Sequence, residues 1–301
     1  MARDVHWVGQ IVGTRLQSCT QAPTFYFERK YMKKLNSPSL GYLCLTAALL
    51  TIGASHLRAD AIPSGWTCTG TCGSLGADGV VTASPTGNSS YQYVSTSNGA
   101  FGVGALPTGN LGGETNGSTL ATSVFSANAG TALNFFFNYV TSDGAGYADY
   151  AWAELYDSSD SLVSLLFTAR TLPDGTIVPG FGMPAPNATL TPGSVPIIPG
   201  GPEWSALGGD SGACYNSGCG YTGWINSNYV IPTAGDYYLK IGVTNWSDVD
   251  FDSGLAVDGV TIDGKPIDPS PSAVPEPSTF VLLGSGMVGA ISMARRRLFN
   301  R

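Results

Sequence analysis

The stretch ALNFFFNYV (Ala132–Val140) sets Leu133, Phe135, Phe137 and Tyr139 at every second position. Alternate residues of an extended chain point to the same side, so these four side chains form one continuous apolar face. A strand with such a face needs a second layer to cover it, and the aromatic content suits a pleated, half-buried surface.

Other segments read the same way on either side of it. They are Ser90–Ser95 (SYQYVS), Tyr150–Tyr156 (YAWAELY), Leu162–Ala169 (LVSLLFTA), Asp236–Asn245 (DYYLKIGVTN) and Leu255–Ile262 (LAVDGVTI). Gly, Asn and Asp turns separate them, and no long amphipathic helical period appears. The expected fold is all-β, a single antiparallel β-sandwich of jelly-roll, lectin-like type over residues 62–263. Residues 171–212 are Pro- and Gly-rich with few periodic positions, and read as a long loop lying on one face. Residues 264–273 begin a proline-stiffened stalk.

Both ends of the chain carry export features. Met32-Lys33-Lys34 is a basic region, Leu40–Ser55 an apolar run, and Ala59-Asp60-Ala61 a small-x-small cleavage pattern. Residues 32–61 therefore read as a secretory signal peptide cleaved before Ile62. Residues 1–31 precede that basic region and read as a start placed too early, or as an extended n-region. At the other end, Phe280–Ala294 is uncharged and is followed by Arg295, Arg296 and Arg297. Fifteen helical residues rise roughly 22 Å, a short transmembrane helix whose arginines stay on the cytoplasmic side. GSGMVG (284–289) inside this run matches a dinucleotide-binding glycine pattern, yet no acidic residue and no second strand follow it.

The segment 274–301 resembles the PEP-CTERM sorting signal. Val274, Pro275, Glu276 and Pro277 match its recognition motif, and an apolar glycine-containing helix and an arginine cluster follow in that order. The resemblance implies a Gram-negative source and processing by exosortase, a membrane-embedded cysteine protease-transferase. It implies export through the inner membrane by the secretion machinery, to the cell surface or beyond, usually alongside exopolysaccharide. Two body stretches, 137–155 and 234–262, also look like those of exported bacterial surface proteins with lectin-like sandwiches. They suggest a fold and bring no catalytic residue.

Removing both ends changes the charge. Seven of the 14 basic residues lie in 1–61 and four in 278–301, leaving Arg170, Lys240 and Lys265 in 62–277. Eighteen acids remain there, a net charge of −15. Such a surface repels phosphate backbones, which excludes a nucleic-acid partner. Both histidines, His6 and His56, lie outside 62–277. Ser211 in GGDSGA (208–213) therefore has no imidazole to activate it, and the motif reads as a tight polar loop.

Four cysteines remain, Cys68, Cys72, Cys214 and Cys219. A four-thiolate zinc site would use the same residues, but export to an oxidising compartment favours disulfides. Three connectivities are open. The local pairs 68–72 and 214–219 are preferred because each closes a short glycine-containing loop.

Asp248, Asp250 and Asp252 in WSDVDFDSG form the candidate metal site. On an extended strand they would share a face, and Ca²⁺ would relieve their repulsion. The EF-hand pattern is incomplete, with Ser253 at the turn glycine and Gly259 at the bidentate glutamate. The alternative is a solvated acidic turn with Val249 and Phe251 packed inward. Asp143 and Asp149 in TSDGAGYADY are a second candidate, better read as turn residues.

Three functions are open. The preferred one is a non-enzymatic surface or matrix protein associated with exopolysaccharide and biofilm. The second is a carbohydrate-binding module stacking sugars on Trp204, Trp224 or Trp246. The third is a secreted glycoside hydrolase using two carboxylates.

Overall fold

The computed structural model describes residues 62–171 and 176–268. The signal peptide, residues 269–273 of the expected stalk, the sorting segment and its expected transmembrane helix lie outside the described residues. Residues 264–268, expected to begin the stalk, instead fold back onto the domain, with Lys265–Pro266 paired to Thr261–Ile262. Among the described residues no helix is long and apolar enough to cross a membrane.

Eleven strands frame the domain. They are β1 (Thr67–Thr69), β2 (Thr71–Leu75), β3 (Tyr91–Ser95), β4 (Glu114–Ala121), β5 (Ala132–Thr141) and β6 (Tyr150–Asp157), then β7 (Leu162–Arg170), β8 (Thr189–Thr191), β9 (Ile225–Val230), β10 (Gly235–Trp246) and β11 (Ser253–Ile262). One antiparallel sheet runs β1-β4-β10-β6-β7, with the short strands Ala100–Phe101 and Phe125–Ala127 at its margins. The other runs β8-β9-β5-β11-β3-β2, extended by Ile198–Pro199, Gly220–Tyr221 and Lys265–Pro266. Long strands switch sheets from β5 to β6, β9 to β10 and β10 to β11, as in a jelly roll.

The expected apolar face exists. Leu133, Phe135, Phe137 and Tyr139 are all fully buried, in one cluster with Leu120 of β4, Leu155 of β6, Phe167 of β7 and Ile241 of β10. Phe137 stacks on Phe167 across the layers, with ring centroids 3.9 Å apart and planes 6° apart. The six strands read from sequence agree with β3, β5, β6, β7, β10 and β11 to within two residues at each end.

The segment 171–212 is more deeply built in than a surface loop. It contains β8, the pair Thr176–Val178 with Val195–Pro196, and a 3₁₀ turn at Ser205–Asp210. Ile177, Val178, Leu190 and Val195 enter the main core. Trp204 and Leu207 cover the outer side of the second sheet against Tyr91, Tyr93, Val140 and Ala256. Few of these anchors repeat at strand spacing, so no period marks them in the sequence.

Both cysteine pairs are local disulfides, Cys68–Cys72 with Cα atoms 6.1 Å apart and Cys214–Cys219 with Cα atoms 5.6 Å apart. The first joins the β1–β2 corner. The second closes a loop in front of the β5 end.

Phe137→Ala should test the interlayer stack. Deleting a fully buried ring costs about 3–5 kcal/mol through lost transfer energy and a residual cavity. Equilibrium urea unfolding should show that loss with an unchanged m value. A loss below about 1 kcal/mol would mean that the layers do not depend on this contact.

Candidate functional site

The β5–β11 register pairs Thr141 with Ser253, and the β10–β6 register pairs Thr244 with Tyr150. These two registers bring four strand ends to one end of the sandwich. The β5–β6 connection (142–149), the β10–β11 connection (247–252) and the 3₁₀ turn at Ser205–Asp210 with the disulfide loop behind it meet there.

Hydrogen bonds tie these loops together. The Ser142 amide donates to the Asp252 carbonyl at 3.1 Å, and the Asp252 amide donates to Asp210 Oδ2 at 3.0 Å. The Tyr215 amide donates to the Ser142 carbonyl at 3.0 Å, and the Ala145 amide to the Ser217 carbonyl at 3.0 Å. Above them Tyr215 packs edge-on to Tyr147 at 5.4 Å and against Phe251 at 4.9 Å.

The three aspartates of WSDVDFDSG are not on a strand, which corrects the expected geometry. They occupy the connection between β10 and β11, where Ser247 and Phe251 take left-handed backbone angles of φ 82° and 58°. Such angles break the alternation on which a shared carboxylate face depends. Asp248 Oδ1 instead accepts from the Asp250 amide at 3.2 Å, and Asp252 Oδ1 accepts from the Thr96 hydroxyl at 2.9 Å. Val249 is exposed and Phe251 half-buried against Tyr215, so neither packs into the core. Among the described residues no three acidic, histidine or cysteine side chains are gathered as metal ligands.

The second pair is the more unusual one. Asp149 is fully buried, its Oδ1 accepting from the Trp246 amide at 2.8 Å and its Oδ2 from the Ser253 hydroxyl at 2.6 Å. It clamps the end of β10 to the start of β11. Burial pushes its carboxyl well above the usual carboxylate range, and the nearby Asp143 charge adds to this. Asp143 is 1% exposed. Its Oδ1 accepts from the Gly144 amide at 2.5 Å, while its Oδ2 has no hydrogen-bond partner. Burial raises its carboxyl to about 7 despite the Gly144 bond, and the Asp248, Asp250 and Asp210 charges push it in the same direction.

The tryptophans divide. Trp204 is buried, its indole N–H donating to Tyr91 Oη at 2.9 Å, which removes it as a sugar platform. Trp224 and Trp246 are half-buried, bound through their indole N–H to the Thr82 and Gly112 carbonyls at 3.0 and 2.9 Å. Arg170 also lies 4.9 Å from the Trp246 ring centre. Ser211 Oγ accepts from the Trp204 amide at 2.9 Å and serves as a turn residue. The aromatic group Tyr147, Tyr215 and Phe251 was not singled out from sequence, nor was Asp210. Tyr215 lies between two cysteines and Asp210 inside an aperiodic segment, so only the chain's folding reveals them.

Residues 273–297 match the model of the PEP-CTERM protein-sorting motif. The chain carries a PEP-CTERM sorting signal. That signal marks it as an exported surface protein, and the match covers the tail alone. No curated protein matches the sequence. Two cleaved adhesin domains of Lys-gingipain from Porphyromonas gingivalis are similar in structure. The first is 14% identical with a TM-score of 0.31, covering 68% of this chain and 93% of the domain. The second is 10% identical with a TM-score of 0.30, covering 67% and 93%. The enzymatically active domain of tailspike protein 4 of bacteriophage CBA120 is 11% identical with a TM-score of 0.29, covering 66% of this chain and 19% of that one. Likenesses this distant carry neither function nor ligand.

The buried acids give a pH prediction for the metal-free protein. An acid raised above its unfolded value, about 3.9, stabilises the fold fully only below that value. The contribution is lost as pH rises through the folded value. The melting temperature should therefore fall as pH is raised from about 5 to about 8, and Asp143→Asn should reduce the fall. Equal slopes for the two proteins in calorimetry would refute the assignment to Asp143.

Proposed function

We propose that the PEP-CTERM protein is processed by exosortase and then serves as a non-enzymatic component of an exopolysaccharide-rich surface or matrix layer. The observation that carries this reading is the sorting motif at 273–297. Three further features support it. The segment 62–277 is histidine-free and carries a net charge of −15, which keeps it soluble and repels anionic membrane surfaces. Its two local disulfides suit an oxidising exterior. Its most perturbed carboxyls, Asp143 and Asp149, are buried where a sugar chain does not reach, which weighs against the hydrolase reading.

A carbohydrate-binding role is the second reading. It is favoured by Tyr215, 48% exposed and backed by Tyr147 and Phe251, because an exposed ring beside carboxylates suits sugar stacking and hydroxyl bonding. A glycan array with wild type and Tyr215→Ala separates it from a purely structural role.

Processing is checked by intact mass of surface-extracted protein. The mature species should begin near Ile62 and lack the segment after Pro277. Replacing Pro275, Glu276 and Pro277 by alanine should leave a species that retains Arg301 and stays with the inner membrane. A wild-type surface species that retains Arg301 would rule out exosortase processing.

A further inference from the structure

Three buried polar atoms among the described residues lack a hydrogen-bond partner: Asn138 Nδ2, Asn245 Oδ1 and Asp143 Oδ2. The two amides are neutral, and the other atom of each is hydrogen-bonded, Asn138 Oδ1 to the Thr222 hydroxyl and Asn245 Nδ2 to Asn116 Oδ1. Asp143 is the one that can carry a charge: ionised, both of its oxygens accept, and protonated, its Oδ2 hydroxyl still lacks a partner. Leaving a buried acceptor empty costs about 1–3 kcal/mol, and more for a charged one. Asp143 Oδ2 therefore points to a missing donor or cation.

Its surroundings decide between the two. The charges that act most strongly on Asp143 are negative: Asp248 and Asp250 from the β10–β11 connection, and Asp210 from the 3₁₀ turn. Asp149 stands behind it and is already occupied by Trp246 and Ser253. Arg170 is engaged elsewhere, with Nε on the Ala148 carbonyl and its guanidinium over Trp246. Negative charge from the 247–252 connection and from the 3₁₀ turn, with no basic side chain hydrogen-bonded to Asp143, favours a cation over a neutral donor.

We propose that Asp143, with Asp248 beside it, holds a calcium ion at the loop end of the sandwich. The ligands on offer are oxygens only, because the four cysteines are in disulfides and the segment has no histidine. Oxygen sets select hard cations. No three carboxylates converge among the described residues, so carbonyls and water complete the shell. Ca²⁺ accepts such irregular shells, whereas Mg²⁺ requires near-octahedral geometry. The ion would lock the β5–β6 and β10–β11 connections together below the Tyr147, Tyr215 and Phe251 rings. This inference stands whether or not the surface-layer reading holds.

The test titrates CaCl₂ into the metal-stripped, purified full-length chain at constant ionic strength, read by isothermal calorimetry and thermal unfolding. One ion per chain should bind with a dissociation constant of roughly 10⁻⁴–10⁻³ M, the range of extracellular calcium modules. At tenfold excess over that constant the melting temperature should rise by about 3–6 °C. MgCl₂ at the same concentration should give less than half the rise, and NaCl at equal ionic strength none. Asp143→Asn should lose both heat and shift. Asp236→Asn, an exposed carboxylate at the other end of β10, should keep them. If Asp143→Asn does not fold, Asp248→Asn should bind calcium at least tenfold more weakly. Absence of saturable binding to wild type up to about 10 mM would mean that only water meets Asp143, and would overturn the proposal. So would equal responses from wild type and the folded cluster variant, or a loss shared by Asp236→Asn.

Discussion

The antiparallel pairing of β5 with β11 is the constraint on which the rest of the domain depends. It joins segments about 120 residues apart, from Ser253 with Thr141 to Ile262 with Leu133. Once that register is set, the face of Leu133, Phe135, Phe137 and Tyr139 points at the opposite sheet, and the loops at the Thr141 end are brought together. A slip of one residue would send the aromatic face to the other side of the sheet. The same slip would separate Ser253 from Asp149. The hydrophobic core and the acidic loop cluster are therefore two outcomes of one register.

How the carboxylates are accommodated follows from the shortage of bases. Many find hydroxyl, amide or indole donors. Asp258 is held by Thr86 and Asn88, Asp268 by Trp66 and Ser123, Glu154 by Thr108 and Tyr156, and Asp236 by Ser126. Hydrogen bonds to a charged acceptor are roughly twice as strong as neutral ones and do not require a long cationic side chain to be ordered. The abundance of Ser, Thr and Asn in this chain thus replaces the lysines and arginines of an ordinary surface. Asp143 differs: among the described residues its Oδ2 is a buried carboxyl oxygen left without a donor.

The fold was legible where inward-facing residues were large and apolar. β5, β10 and β11 alternate plainly in the sequence. β4 and β9 do not, because positions buried along them include Asn116, Ser118 and Ser227, which read as turn residues. The anchors of 171–212, such as Ile177 and Trp204, are equally buried yet aperiodic. The candidate site was legible in composition only. WSDVDFDSG declared its charge, but a local reading places it on a strand, and the left-handed Ser247 and Phe251 turn it into a connection. That Asp143 and Asp210 join it from segments some 40–105 residues away is a property of the topology. The two cysteine pairs, by contrast, were readable because each closes within its own loop.

The scarcity of bases has a consequence for survival outside the cell. A protease that cuts after lysine or arginine finds three such residues among those described: Arg170, Lys240 and Lys265. Lys240 lies in the middle of β10, paired on both edges with β4 and β6. Arg170 ends β7 with its side chain on the Ala148 carbonyl and the Trp246 ring. Lys265 is exposed, but Pro266 follows it, and a proline after the cleaved bond is a poor fit to trypsin-type active sites. The folded domain thus offers such enzymes almost no usable bond, a resistance that begins in its composition and is completed by its strand pairing.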